Sequence, residues 1–220
     1  LEGADAAGVL QVWYGNPTAT TTSDGDATYE IFDHFDGETI DAFKWYTESG
    51  IWSISDGHLK QSLIGSYPGV IRSNTYSIDR SNLSHTLETK VRWGGGSTAS
   101  GAHSIYLSGH TPMEDYVQLT LRYESYRQVT EIRTDEGVPS VKVLPWDISS
   151  WHVLRMDCHG STVDGYIDGV RQHTSTNAYL TQFPLYVGSH VWYAQPQIDY
   201  ILARAYSATP PAATAFSEGV

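Results

Sequence analysis

The carboxylates of this chain are the first residues to examine for catalysis, and their spacing does not favour it. Glycoside hydrolysis commonly uses two carboxyl groups that face one bond. Glu114 and Asp115 are adjacent in the sequence, so a strand would place them on opposite faces. Glu88 is the one carboxylate in its own alternating run, "LETKVRW". The sequence also contains no Gly-x-Ser-x-Gly elbow and no zinc-type histidine spacing. These patterns predict that the chain is not an enzyme.

Aromatic residues beside polar groups are the second kind of candidate site. Such a combination can bind a sugar, because the ring stacks on it and the polar groups orient its hydroxyls. Trp192 and Tyr193 in "HVWYAQPQ" are the leading candidates, since two adjacent aromatics must face different ways. Tyr116 and Arg122 are further candidates, with Trp93 and Tyr106 as weaker ones. Packing of these residues in the core is the competing interpretation.

The charge balance excludes some partners. The net charge is −12, and an acidic surface repels nucleic-acid phosphates. Acidity also leaves carboxylates free for cations such as calcium, although solubility alone accounts for it. The sequence contains no apolar run long enough to span a membrane. The single cysteine, Cys158, cannot form an internal disulfide, and we expect it to be buried in a strand.

The elements that must position these residues are predicted to be β-strands. In "HTLETKVRW", Leu87, Thr89 and Val91 alternate with charged residues, and "YVQLTLRYES" alternates in the same way. A period of two with turn residues between the runs indicates a sandwich or a barrel. "VDGYIDGVRQ" predicts a β-hairpin that turns at Asp168 and Gly169.

The chain divides into three predicted segments. Residues 1–28 form an extended segment with one short strand, residues 29–206 form the strand-rich domain, and residues 207–220 form a proline-rich tail. Because the sequence starts at Leu1 rather than Met, we expect a processed product or a piece of a longer chain.

Two sequence regions resemble known families. "WHVLRMDCHGSTV", "FPLYVGSH" and "QIDYILARAY" resemble the strands of concanavalin A-like and laminin G-like jelly rolls, over Phe32 to Tyr206. "VWYGNPTATTTSDGDATYEIFDHFDGETIDAFKW" resembles the junction in archaeal and bacterial surface proteins where DUF2341, a domain of unknown function, runs into such a jelly roll. The resemblance implies an all-β fold of two antiparallel sheets packed face to face, preceded by the extended N-terminal strand.

The resemblance also carries expectations about sites. Hydrolases of this fold have a Glu-x-Asp-x-(x)-Glu run on one strand, which this sequence lacks. Related jelly rolls often hold a structural calcium ion, and the matching positions here are Asp199 and the carbonyl of Gly57. Oxygen ligands suit that ion. The alternative is that Asp199 stabilises the last strand by hydrogen bonds.

The sequence therefore predicts a non-catalytic structural or adhesive subunit, extracellular at the cell surface, that associates with itself or with other surface proteins. A lent strand could drive assembly into filaments, and its residues would be Val9, Gln11, Val12, Trp13 and Tyr14. The first alternative is a carbohydrate-binding module that recognises a polysaccharide. The second is a hydrolase or lyase with an unusual site, for which Glu88→Gln is the test. Asn82 begins an Asn-Leu-Ser triplet, which predicts glycosylation on an exposed turn.

Overall fold

The structure is a computed structural model, and the residues that it describes all belong to or border β-strands. They are residues 29–61, 69–78, 84–94, 103–108, 117–124, 127–134, 140–143, 147, 149–176, 183–189 and 195–208. Residues Gly25–Tyr206 form one compact unit; the second unit consists of Leu1–Asp24 and Ser207–Val220. Within the described residues, no helix is long and apolar enough to cross a membrane.

Fifteen strands make up the described fold. In chain order they are β1 (Ile31–Asp33), β2 (Trp45–Ser49), β3 (Trp52–Ser55), β4 (His58–Gln61), β5 (Gly69–Ile78), β6 (Ser84–Trp93), β7 (His103–Ser108), β8 (Val117–Glu124), β9 (Arg127–Thr134), β10 (Ser140–Val143), β11 (His152–His159), β12 (Thr162–Ile167), β13 (Val170–Ser175), β14 (Phe183–Ser189) and β15 (Pro196–Ala205).

The strands form two antiparallel sheets. Sheet A has the order β13-β12-β11-β6-β15-β4-β3, with β1 also paired to β15. Sheet B has the order β10-β9-β8-β7-β14-β5-β2. Neighbours such as β6 and β15 are far apart in sequence, so each sheet is assembled from distant parts of the chain. The predicted two-sheet jelly roll is confirmed.

The core lies between the two sheets and is made by alternate residues of each strand. Leu87, Leu154 and Met156 contribute from sheet A, and Leu119 and Leu121 contribute from sheet B, all with 1% exposure or less. This matches the alternation predicted for β6 and β8. The other residues of each strand therefore lie on an outer face of the sandwich.

Two turns have the backbone geometry that their sequences predict. Asp168 and Gly169 both adopt positive φ, 50° and 76°, between β12 and β13. Asp56 and Gly57 do the same between β3 and β4, at 55° and 70°. Two successive residues with positive φ make the turn that matches the twist of a hairpin. The predicted β12–β13 hairpin is confirmed.

Candidate functional site on the outer face of sheet B

Strands β8 and β9 carry a group of buried polar residues on the side of sheet B that faces away from the core. Leu119 and Ile132 are register partners on the core side. Thr120 and Glu131, the next pair, therefore lie on the outer side. Gln118 precedes Leu119 on β8 and shares that outer side. We call Gln118, Thr120 and Glu131 the outer polar strip.

The outer polar strip is unusual because its residues are almost completely shielded from solvent. The exposed fractions are 5% for Gln118, 4% for Thr120 and 2% for Glu131. Carboxylates are rarely fully buried unless they are paired, and Glu131 does interact with other groups. It lies on the outer side of the sheet as the register partner of Thr120, with Gln118 on the same side of β8. Carboxyl, hydroxyl and amide groups of this kind can hydrogen-bond the hydroxyls of a sugar.

A second group on this face lies at the β2 edge of the sheet. Tyr46 on β2 pairs with Arg72 on β5, and the Arg72 guanidinium lies 4.6 Å from the centre of the Tyr46 ring. Glu48 Oε2 is 3.6 Å from Arg72 Nε. The register shifts between Thr47 and Ser49, so Glu48 sits in a bulge, a feature that re-aims side chains.

The backbone register joins these two groups across the sheet. Arg72 pairs with Tyr186 on β14, Tyr186 pairs with Ser108 on β7, and Ser108 pairs with Gln118 on β8. A continuous line of paired positions thus runs from Tyr46 to Gln118.

On the outer face of sheet A, Glu88 and Arg155 each contact a tyrosine. Tyr200 Oη donates to Glu88 Oε1 at 2.7 Å. Burial, and then this hydrogen bond, raises the pKa of Tyr200. Arg155 stacks over Tyr166 at 4.1 Å. Glu88, the carboxylate singled out from the sequence, is thus held by a hydrogen bond from Tyr200.

Two carboxylates lie directly opposite each other on sheet A, and hydroxyl groups stabilise both. Asp157 pairs with Asp164 across β11 and β12. Thr86 donates to Asp157 at 2.8 Å, and Thr174 donates to Asp164 at 2.5 Å. Burial works against the charge of Asp164, but the hydrogen bonds from Thr174 and His159 hold its pKa below the ordinary value. Both carboxylates are therefore held by hydrogen bonds from threonine hydroxyls within the sheet.

The surroundings of Asp199 do not fit the predicted calcium ion. One carboxylate oxygen is 2.6 Å from Lys90 Nζ, and the other is 3.3 Å from His58 Nδ1. These are cationic or hydrogen-bonding nitrogens, whereas calcium requires several oxygen ligands. Gly57 lies in the β3–β4 turn. Across the described residues, no group of three His, Cys, Asp or Glu side chains could hold a metal ion.

Most of the predicted sugar-binding and assembly residues lie outside the described residues. This applies to Trp192, Tyr193, Tyr116 and Asn82, and to the strand residues Val9, Gln11, Val12, Trp13 and Tyr14. The backbone of Arg122 pairs with Val129 of β9 and Ser104 of β7. Trp93 packs against the hydrophobic core, which favours a structural role for it.

The sequence analysis missed the residues of the outer face of sheet B. It identified β8 from its alternation but assigned no role to Glu131, Thr120 or Tyr46. A signal was present, because Glu131 interrupts the apolar side of "VTEIRT" with a carboxylate at an alternating position. The sequence alone does not reveal that β9 pairs with β8, and this pairing places Glu131 beside Thr120.

Comparisons with known proteins agree with this fold. A model of the domain of unknown function DUF2341 matches residues 2–48, which include β1 and most of β2. No curated protein sequence matches the chain.

Several solved structures share the fold at low sequence identity. An endo-β-1,3-glucanase from Pyrococcus furiosus is 12% identical with a TM-score of 0.63, covering 82% of this chain and 95% of its own. The catalytic domain of an endo-1,3-β-glucanase (laminarinase) from Thermotoga petrophila is 14% identical with a TM-score of 0.59, covering 80% and 96%. An endo-β-galactosidase from Clostridium perfringens that releases GlcNAcα1-4Gal is 13% identical with a TM-score of 0.63, covering 86% and 66%.

These neighbours overturn two predictions. The chain was expected to be a non-catalytic structural or adhesive subunit and not an enzyme, whereas the solved structures that share its fold include several glycoside hydrolases. The physical reason is that acids can be brought to one face by strand pairing as well as by alternation along a single strand. Glu131 of β9 and Thr120 of β8 meet in this way. Self-association through a lent strand finds no support in these comparisons.

Proposed function

We propose that this chain is a carbohydrate-active enzyme that binds a polysaccharide across the outer face of sheet B and hydrolyses it there. The observation that carries the proposal is the position of Glu131 on the outer side of sheet B, where it is the register partner of Thr120. The fold, which the chain shares with endo-acting glucanases and a galactosidase, supports the same assignment.

In the proposed reaction Glu131 acts as the proton donor. The bond between the anomeric carbon and the bridging oxygen breaks, and the bridging oxygen takes the Glu131 proton. Water supplies a hydroxyl to the anomeric carbon and returns a proton to the carboxylate. Thr120 and Gln118 are placed to orient sugar hydroxyls by hydrogen bonds.

Glu131 needs a second group to complete hydrolysis, and Glu48 is too far away to serve. Five strand intervals separate β9 from β2 in sheet B, or about 24 Å at the usual interstrand spacing. Paired catalytic carboxyls are about 5–9.5 Å apart. Glu114 and Asp115, which precede β8 in the sequence, are the first candidates to test for the second group.

The test is hydrolysis of a polysaccharide panel by the full chain, measured as new reducing ends. The panel contains a β-1,3-glucan and a glycan with terminal GlcNAcα1-4Gal. Glu131→Gln should lower the rate by about 10²–10⁴-fold, because it removes the proton donor and keeps the shape of the side chain. Glu88→Gln on sheet A is the matched control and should keep the wild-type rate.

The outcomes separate the possible roles. Full activity in Glu131→Gln, or loss of activity in Glu88→Gln alone, would contradict the assigned site. Glu114→Gln and Asp115→Asn identify the second group if either abolishes turnover. Binding without cleavage by the wild-type chain would contradict the enzymatic part and leave a carbohydrate-binding module.

We also propose that the chain works outside the cell. The proposed substrate is a polymer too large to cross a membrane, and a folded chain that must reach it has to act where the polymer is found.

A further inference from the structure

We infer that Tyr46, with Arg72 stacked beneath it, forms a sugar-stacking subsite at the β2 end of sheet B, distant from Glu131. The inference rests on the proposed function and deepens it. It assigns the substrate class as a long chain, bound along its interior, rather than a short oligosaccharide bound near Glu131 alone.

The exposure of aromatic residues at this edge is the first observation. Tyr46 is 48% exposed and Phe43 is 87% exposed. An aromatic ring is a suitable platform for a sugar, since both present flat apolar faces.

The second observation is that the Tyr46 ring is held in place on one side. Arg72 lies 4.6 Å from the ring centre, and Glu48 lies 3.6 Å from Arg72. The ion pair and the stacking interaction hold the tyrosine in place, and the residue remains 48% exposed. A ring that is already positioned loses little side-chain entropy when a ligand binds.

The third observation is that the turn at residues 42–44, just before β2, is fixed to β5, the strand that carries Arg72. Asn74 is exposed and lies two residues from Arg72 on β5. It donates two hydrogen bonds to the turn at residues 42–44. Its backbone N–H donates to the Lys44 carbonyl at 2.8 Å, and its Nδ2 donates to the Ala42 carbonyl at 2.9 Å. The turn that carries Phe43 is therefore anchored beside the Tyr46 and Arg72 pair.

The location of the subsite follows from the sheet order. Tyr46 on β2 is separated by five strand intervals from Glu131 on β9, about 24 Å. The line of paired positions from Tyr46 to Gln118 covers four of these five intervals, and the pairing of Thr120 with Glu131 covers the fifth. A ligand that contacts both ends must span several sugar rings, so the geometry points to a substrate bound along its interior.

Substitution of Tyr46 tests the inference. The Michaelis constant is measured on the polysaccharide that the wild-type chain cleaves and on a trisaccharide of the same linkage. Tyr46→Ala should raise the constant for the polymer by up to about tenfold, the size of one aromatic contact, and should raise it much less for the trisaccharide. Tyr46→Phe should recover the polymer affinity, because it keeps the stacking ring.

Tyr166→Ala is the matched control. It removes a tyrosine that stacks with an arginine at 4.1 Å in the same way, but on the outer face of sheet A. Its Michaelis constants should equal those of the wild type. If Tyr46→Ala and the wild type have equal Michaelis constants on the polymer, the subsite is overturned and the proposed function remains intact.

A second readout distinguishes failure of the subsite from failure of the proposed function. If the wild-type chain cleaves no polysaccharide, the proposed function fails. In that case, the electrophoretic mobility of the protein in a native gel that contains the polymer tests the subsite alone. Retardation that disappears in Tyr46→Ala and persists in Tyr166→Ala supports the stacking site, and retardation that is equal in both, or absent in the wild type, overturns it.

Discussion

At the scale of single residues, His173 links the two sheets and gives the fold a sensitivity to acid. It lies on β13 of sheet A, is 3% exposed, and its Nδ1 is 3.0 Å from Ser140 Oγ of β10 in sheet B. Burial, and then the charge of Lys142, lowers the pKa of His173 from 6.5 to about 4. The neutral imidazole is therefore the form that the folded protein favours.

We expect the protein to lose stability as the pH falls from about 6.5 to about 4. In that range the unfolded chain binds a proton at His173 and the folded chain does not, so protonation favours unfolding. The loss should total about 3 kcal/mol and should be complete below pH 4. Urea unfolding at a series of pH values measures it.

His173→Gln is the control for this prediction. The variant cannot titrate at this position, so its free energy of unfolding should fall less than that of the wild type over the same pH range. Parallel curves for the two proteins would show that His173 does not cause the acid sensitivity.

At the scale of elements, close packing between strands depends on a glycine in β5. The amide group of Gln61 on β4, 4% exposed, lies directly against Gly69, and a Cβ atom there would overlap it. Sheet A and sheet B meet at this contact, since β4 and β5 belong to different sheets. A larger residue at position 69 must therefore displace a buried side chain.

We expect Gly69→Ala to lower the free energy of unfolding by about 1–3 kcal/mol, the usual cost of overpacking. Gly37→Ala is the matched control, because a Cβ atom there meets only ordinary contacts with Thr39, and its effect should be near zero. Chemical denaturation compares the two variants. A stability for Gly69→Ala equal to that of Gly37→Ala would mean that Gln61 moves aside at no cost.

The strands show how far the sequence predicts this fold. Alternation identified the core side of β6 and β8, because Leu87 and Leu119 repeat at a period of two with their neighbours. The turn at Asp168 and Gly169 was predicted from residue types alone. These features are local, so the sequence determines them directly.

The candidate site was not predictable in the same way. Gln118 and Thr120 look like solvent-facing residues in the sequence, yet both are buried. Their burial depends on which strands lie beside β8 in the folded chain. Tyr46 and Arg72 are 26 positions apart and meet only because β2 pairs with β5. Contacts between distant segments set the site, and a single sequence does not reveal them.

At the scale of the whole molecule, Cys158 reports on unfolding of the entire compact unit. It lies on β11 between β6 and β12 and is 2% exposed. Burial, and then the charge of Asp157, raises the pKa of the thiol to about 12. The thiolate is the reactive form, so the native thiol should be inert.

We expect a thiol reagent to label Cys158 only when the sandwich opens globally. Labelling at neutral pH should be very slow without denaturant and should increase with urea in parallel with the unfolding curve from tryptophan fluorescence. Rapid labelling of the native protein would show that β11 becomes exposed through local opening.

The pairing of β1 with β15 has a mechanical consequence. Ile31, at the start of β1, lies opposite Ala203 near the end of β15, so the chain enters and leaves the sandwich side by side. A pulling force applied through these two connections would open the pair one hydrogen bond at a time, as a zipper opens, rather than shear the strands together. β1 has three register partners on β15, whereas β15 has nine on β6. Under tension the first strand would therefore peel away early, and the rest of the sandwich would remain closed.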